Sequence, residues 1–350
     1  MQIPAQDLSK HLARGLRPLY TLHGDEPLQQ MEALEAIRTA ALTQGFGERQ
    51  SFTVSGQHFD WSSVQAAASA MSLFADRQFI ELRIPSGKPG KEGSVALQEL
   101  AASLADQDGV MVVVLLPRLD RATKSTAWFA ALDAHGAHLQ LDPIERHALP
   151  AWIAHRLAAQ GQRVEPGVAG ERCLQFFADR VEGNLLAAHQ EVVKLGLLYP
   201  QGELSHAQIE QAVLNVARYD VFKLTEAVLA GQVDRTQRML DGLRAEGEAE
   251  VLVHHTLAEE IRCLWRVHRA VLAGRDVRAV LQQERVWGPR EKQYIRIVPQ
   301  LKRQTVEHLL QWAHRVDGIV KGLRVDDWPR DGWLALHRLA FRMAHICRPR

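Results

Sequence analysis

The stretch Val110-Met-Val-Val-Val-Leu-Leu116 is the most apolar strand signal in the chain. It contains no polar position, whereas a strand with one solvent-facing side alternates apolar and polar residues. A strand that is apolar on both faces is typical of a parallel sheet covered by helices. The sequence therefore predicts that residues 110–116 form a central strand of such a sheet.

Strand and helix signals alternate on both sides of this stretch. The other strand signals cover residues 18–22, 51–54, 78–84 and 137–141. Between them, apolar residues recur at helical spacing, and Asp25 is expected to cap a helix whose first turn contains Pro27. This alternation predicts an α/β domain with a mainly parallel sheet over residues 1–142.

The strand signal ends after Asp142-Pro143. Residues 143–212 are predicted to form a small helical domain, with a turn at residues 161–166. Residues 213–350 have helical periodicity almost throughout and short loops, so a third, all-α domain is expected there.

Composition restricts the class of protein. No apolar run approaches the roughly 18 residues that a membrane span needs, and the polar N-terminus lacks a signal-peptide core. Cys173, Cys263 and Cys347 are too far apart for a Cys-x-x-Cys pair. We therefore expect a cytoplasmic protein with free thiols, with no membrane partner and no metal.

The charge is unevenly distributed. Residues 251–350 contain 19 Lys and Arg against 10 Asp and Glu, a net charge of +9. The other 250 residues contain 23 against 31, a net charge of −8. A basic C-terminal third favours contact with phosphate groups, although solvated helix faces would show the same composition.

An α/β domain followed by a small helical domain is the plan of the AAA+ ATPases. Such an enzyme needs a Gly-x-x-x-x-Gly-Lys-Ser/Thr loop after its first strand to hold the nucleotide phosphates. This chain has His23-Gly-Asp-Glu-Pro-Leu28 there, with two carboxylates and no lysine. The acidic pair expected after the apolar strand is replaced by Pro117-Arg118-Leu119. We expect no ATPase activity, no catalytic residues and no cofactor.

Residues 70–74, Ala70-Met-Ser-Leu-Phe74, place three large apolar side chains within four positions. Such a cluster either fills the core of its own domain or docks into a partner, because large apolar anchors dominate the energy of protein interfaces. It resembles the Gln-Leu-Ser-Leu-Phe type of peptide that binds the bacterial DNA sliding clamp, without the leading glutamine.

Four other stretches are similar to the delta subunit family of the bacterial DNA polymerase III clamp loader, and the resemblance runs from about residue 5 to 345. They are Gly24-Asp-Glu-Pro-Leu28, Trp128-Phe-Ala-Ala-Leu132, Glu182-Gly-Asn-Leu-Leu186 and Arg285-Val-Trp287. Leu186 stands where the ATPase subunits have a nucleotide-sensing arginine.

The resemblance implies an AAA+-like fold that binds no nucleotide, followed by a small helical domain and an all-α collar domain. It implies a non-catalytic subunit whose partners are the sliding clamp, the clamp-loader ATPase subunits, delta prime and primed DNA. Met71, Leu73 and Phe74 would bind one clamp protomer and favour the open ring.

The loop Arg324-Val-Asp-Asp-Trp-Pro-Arg330 is the expected DNA contact. Trp328 has charged neighbours, so we expect its indole to find little local apolar surface and to stack on an unpaired base, with Arg324 and Arg330 near phosphate. The alternative is that Trp328 folds back over Trp333 or the helix ends.

Two other functions compete with this interpretation. Delta prime, the second ATPase-inactive subunit, typically carries a four-Cys zinc module and a Ser-Arg-Cys motif, and this chain has neither. An unrelated helical DNA-binding protein would explain the basic third but not residues 71–74. Affinity for the sliding clamp distinguishes this DNA-binding alternative from a clamp-loader delta subunit.

Overall fold

The computed structural model describes residues 1–56, 58–69, 77–104, 107–213, 217 and 219–349. The described chain divides into two compact units. The first comprises Met1–Ala178 and Leu185–Ala212, and the second comprises Asp179–Asn184 and Val213–Arg350. The division into three domains at residues 142 and 212 stays a prediction.

The first unit is built on a five-stranded sheet whose described pairings are all parallel. Its elements are α1 (Leu8–Arg14), β1 (Leu19–His23), α2 (Pro27–Thr43), β2 (Phe46–Thr53), α3 (Trp61–Ser69), β3 (Arg77–Arg83), α4 (Gly90–Ser103), β4 (Val110–Leu116), α5 (Arg121–Lys124), α6 (Ala127–His135) and β5 (Ala137–Gln140). The strand order is β2-β3-β4-β1-β5. β4 is the middle strand and is buried along its whole length, which confirms the prediction.

Helices cover both faces of this sheet. Val112 and Val114 point toward α3, α4 and α6, whereas Met111 and Val113 share the opposite core with α1 and α2. Because side chains alternate along a strand, an all-apolar strand supplies both cores at once. The parallel α/β architecture of the first unit is thereby confirmed.

The remainder of the first unit is mainly helical. Its elements are α7 (Leu149–Ala159), β6 (Gln162–Val164), α8 (Val168–Val181), α9 (Leu185–Leu198), β7 (Gly202–Leu204) and α10 (His206–Ala212), and the last three residues of α8 belong to the second unit. β6 and β7 form a small parallel pair. The sequence interpretation missed both strands, because three residues are too few to show a period of two.

The second unit is helical over its described residues. Its helices are α11 (Val221–Leu229), α12 (Val233–Ala245), α13 (Glu250–Leu272), α14 (Val277–Gln283), α15 (Pro289–Ile297), α16 (Arg303–Val320) and α17 (Gly332–Ile346). They enclose one large apolar core. Among the described residues, no helix combines the length and apolar character that crossing a membrane requires.

Candidate functional site

The turn after β1 occupies the place of a phosphate-binding loop. Gly24 has a φ of 152°, and a Cβ atom added there would lie 1.9 Å from the carbonyl oxygen of Leu141. Its N–H donates to the carbonyl of Leu116 at 3.4 Å. The glycine is therefore required by close approach to neighbouring backbone, not by close approach to a nucleotide.

The two carboxylates of this turn accept hydrogen bonds from the protein's own backbone. Glu26, rather than the predicted Asp25, caps α2 and accepts from the N–H of Leu28 at 3.2 Å. Burial raises the pKa of Glu26. Asp25 is exposed and accepts from the N–H of Arg118 at 3.1 Å. A phosphate at this helix start would meet the carboxylates of Asp25 and Glu26, and repulsion between like charges opposes its binding.

Gln30 joins the turn to the end of β4. Its amide nitrogen donates to the carbonyls of Gly24 at 2.9 Å and Leu116 at 3.0 Å. A cleft of about 280 Å³ remains, lined mainly by the turn and by the ends of β3 and β4. Arg83 also lines it, but its guanidinium lies 3.5 Å from the Glu81 carboxylate. We call residues 24–28 the self-bonded turn, because the protein's own groups take up its hydrogen bonds.

The expected clamp-binding residues Met71, Leu73 and Phe74 lie outside the described residues. The elements on both sides of them are described. α3 ends at Ser69, and its buried side chains pack into the core beneath α4. That core contacts residues 61, 64, 67 and 68 of α3.

β3 begins directly after this stretch and is tied to its neighbour. The guanidinium of Arg77 donates to the carbonyl of Gln44 at 2.9 Å and lies over the ring of Phe46 at 5.3 Å. Farther along, Glu81 is fully buried and pairs with Arg38 at 2.6 Å and Arg49 at 2.7 Å. Residue 76 is therefore followed directly by a strand whose side chains pair with neighbouring elements.

Leu186 is 41% exposed on α9, while Leu185 beside it is buried. The turn before them contains Gly183 in the left-handed region, with a φ of 77°. An exposed leucine offers no charge to a nucleotide. Among the described residues, no group of three His, Cys, Asp or Glu side chains is arranged to hold a metal ion.

The structure corrects the premise of the Trp328 prediction. Its indole is only 8% exposed and belongs to the core of the second unit. The guanidiniums of Arg338 and Arg342 lie over it at 4.6 and 5.5 Å from the ring centroid. The surface that covers the indole includes Arg338 and Arg342 of α17, ten and fourteen residues farther along the chain. Arg324 and Arg330 are exposed.

Trp287 is the tryptophan whose accessibility suits a base contact, and the sequence interpretation did not select it. Its side chain is 57% exposed, next to the buried Val286. Arg285 has a φ of 55° and Gly288 a φ of 65°, so a tight turn presents the indole. The available signal was the Gly-Pro that follows Trp287, which indicates a turn, together with the basic Arg285.

Comparison with known proteins gives the family. A sequence model described as DNA polymerase III, delta subunit, matches residues 20–141. The DNA polymerase III subunit delta of Escherichia coli K12 is 30% identical over 340 residues, covering 97% of this chain and 95% of the relative. The chain belongs to the DNA polymerase III delta subunit family. The Haemophilus influenzae Rd delta subunit is 25% identical over 351 residues, covering 97% and 98% of the two chains.

The fold agrees with this delta assignment. The DNA clamp loader delta protein of Bacillus subtilis matches with a TM-score of 0.52 at 16% identity, covering 97% of this chain and 99% of that chain. The stretch matched by the family model runs from β1 to the end of the sheet. It contains both the self-bonded turn and residues 70–76. The predicted family is thereby confirmed.

Proposed function

We propose that this delta subunit is a non-catalytic clamp-loader component that binds the DNA sliding clamp and favours its open ring. The observation that carries the proposal is the turn at residues 24–28. In an AAA+-like sheet this position would serve the nucleotide, and here the protein's own carboxylates, glutamine and backbone take up its hydrogen bonds.

Met71, Leu73 and Phe74 are the proposed clamp anchors. The core beneath α4 contains side chains of α3 itself, and β3 contributes Phe79, Ile80 and Leu82 to the interior. α3 and β3 are therefore each held in the core by their own apolar side chains. Opening then requires that the anchors bind the open clamp more tightly than the closed one, since only that difference shifts the equilibrium.

The remaining partners follow from the same proposal. ATP bound by neighbouring subunits controls access to the clamp, and the helical second unit provides the collar contacts. Primed DNA is the nucleic-acid partner of the assembly. We place its base contact at Trp287, supported by the exposure of the indole and by the exposed Arg285 beside it.

Clamp affinity tests the proposal. The double variant Leu73→Ala, Phe74→Ala should lose binding to the purified cognate clamp, because each large interface anchor contributes about 2 to 4 kcal/mol. Leu197→Ala is the matched control, since Leu197 is 82% exposed on α9. Normal clamp affinity of the double variant, together with a large drop in its melting temperature, would assign the two side chains to the core instead.

A further inference from the structure

One face of α17 carries apolar and cationic side chains and points away from the core. Leu334, Arg338, Phe341 and His345 are separated by four, three and four residues, which places them on one side of a helix. Leu334 is 53% and Phe341 48% exposed. We call these four residues and Arg342, one helical turn from Arg338, the α17 stripe.

The opposite side of α17 already serves the core. Leu336, Leu339 and Met343 are fully buried there. α17 therefore has a buried apolar side, and Leu334 and Phe341 are additional apolar residues on its exposed side. Large apolar side chains grouped on one solvent-facing side mark interaction surfaces.

Aromatic rings hold the guanidiniums of the stripe in place. Arg342 lies 4.3 Å from the ring centroid of Trp312 and 5.5 Å from that of Trp328. The guanidinium of Arg338 lies 4.6 Å from the ring centroid of Trp328 and donates to the carbonyl of Asp327. Stacking covers the flat faces of a guanidinium and leaves its N–H edge available for a bidentate acceptor.

The charges around Arg342 are repulsive. Burial lowers the pKa of Arg342, and the nearby cations Arg338 and Arg315 lower it further. In the described part of the chain, Arg342 has no carboxylate within ion-pair distance. An acidic group supplied from outside would relieve this repulsion.

We propose that the α17 stripe docks an acidic amphipathic helix of another subunit of the clamp loader, with Leu334 and Phe341 packing on its apolar side and Arg338 and Arg342 binding its carboxylates. This inference rests on the proposed function for the origin of the partner. A phosphate backbone would satisfy the arginines but would leave Leu334 and Phe341 without apolar contact. A protein helix satisfies both groups of side chains.

Photocrosslinking identifies what lies on the stripe. Leu334 in the full-length chain is replaced by p-benzoylphenylalanine, and the complex is assembled with the other purified subunits, the clamp and primed DNA. The expected product is a crosslink to a helical segment of a neighbouring subunit that carries carboxylates beside apolar residues. A crosslink to DNA, or to a segment without carboxylates, would overturn the proposal.

Charge reversal gives an independent measure. Arg342→Glu should weaken entry of the chain into the complex at least about tenfold, because it sets like charges against each other. Exchanging a carboxylate of the crosslinked helix for arginine should restore entry. Leu334→Glu should weaken it as well without touching the core, and Arg278→Glu, an exposed arginine on α14, is the matched control.

The outcomes separate this surface from the general function. Clamp binding by Arg342→Glu and Leu334→Glu should equal that of the unmodified chain. If both variants enter the complex as well as Arg278→Glu does, the α17 stripe is not the docking surface, while the proposed function stands. If the unmodified chain neither binds the clamp nor joins the complex, both proposals fail.

Discussion

Gly24 has no side chain, and this allows the turn after β1 to approach the backbone of Leu141 closely. Gly24→Ala should destabilise the first unit by about 3 kcal/mol, because its Cβ would overlap the carbonyl of Leu141 and the backbone φ disfavours a side chain. Urea unfolding followed by circular dichroism measures the change. Gly56→Ala is the control, since, apart from its chain neighbours, no atom of the described residues lies within 4 Å of the added Cβ. Equal stabilities of the two variants would contradict the close approach.

Glu81 should make stability depend on pH. Burial alone raises the pKa of this carboxyl, but hydrogen bonds from Arg38 and Arg49 outweigh burial and lower it. A carboxyl with a lowered pKa in the folded state stabilises the protein above its unfolded-state pKa, and this contribution is lost as pH falls through the folded-state pKa. Glu81→Gln should therefore cost about 1.5 to 3 kcal/mol at neutral pH and less in acid.

The measurement for Glu81 is urea unfolding of both proteins at about pH 7 and about pH 4. Glu99→Gln, an exposed glutamate on α4, serves as the control and should change little at either pH. If the free energies of unfolding of Glu81→Gln and the unmodified chain differ more in acid than at neutral pH, the ion pairs do not stabilise the fold.

At the scale of elements, the two turns that carry Trp287 and Trp328 should respond differently to truncation. Trp328→Ala should lower stability by about 3 to 5 kcal/mol, because it empties a core position beneath two arginines. Trp287→Ala should leave stability nearly unchanged and weaken binding of primed DNA by the assembled complex by about 1 to 3 kcal/mol. Binding is compared at one salt concentration, since phosphate contacts depend on it.

Each of these variants is the control for the other. Unaltered DNA affinity in Trp287→Ala would remove this turn from the DNA contact. A Trp328→Ala protein with unchanged stability and reduced DNA affinity would reinstate the original prediction for Trp328.

The sequence predicted best those elements whose surroundings do not change along their length. β4 is apolar throughout because helices cover both of its faces, and its central position could therefore be predicted. β2 is an edge strand with alternating exposure. The sequence interpretation did not recognise its first half as a strand, because charged residues lie there. Trp328 has charged neighbours in the sequence, and those neighbours alone could not decide between a base contact and burial of the indole in the core of the second unit. Side-chain surroundings created by distant chain segments could not be predicted from spacing.

At the scale of the whole molecule, the proposed function requires a subunit that responds to nucleotide only through its neighbours. The isolated 350-residue chain should show no saturable heat on titration with MgATP, because a carboxylate-lined, self-bonded turn offers phosphate no favourable contact. Its melting temperature should not change with ATP, since a ligand that binds the folded state raises it. A fully assembled loader titrated in parallel supplies the positive control. Micromolar binding by the isolated chain would overturn the proposed role.

The position of β3 has a mechanical consequence. Residues 70–76 lead covalently into Arg77, and β3 is hydrogen-bonded to β2 on one side and β4 on the other. A pull on this segment directed along the strand axis loads both ladders in shear, so that many hydrogen bonds resist together. The same pull on an edge strand could peel it away bond by bond. If residues 70–76 bind the clamp as proposed, the load passes to a strand that is hydrogen-bonded along both of its edges.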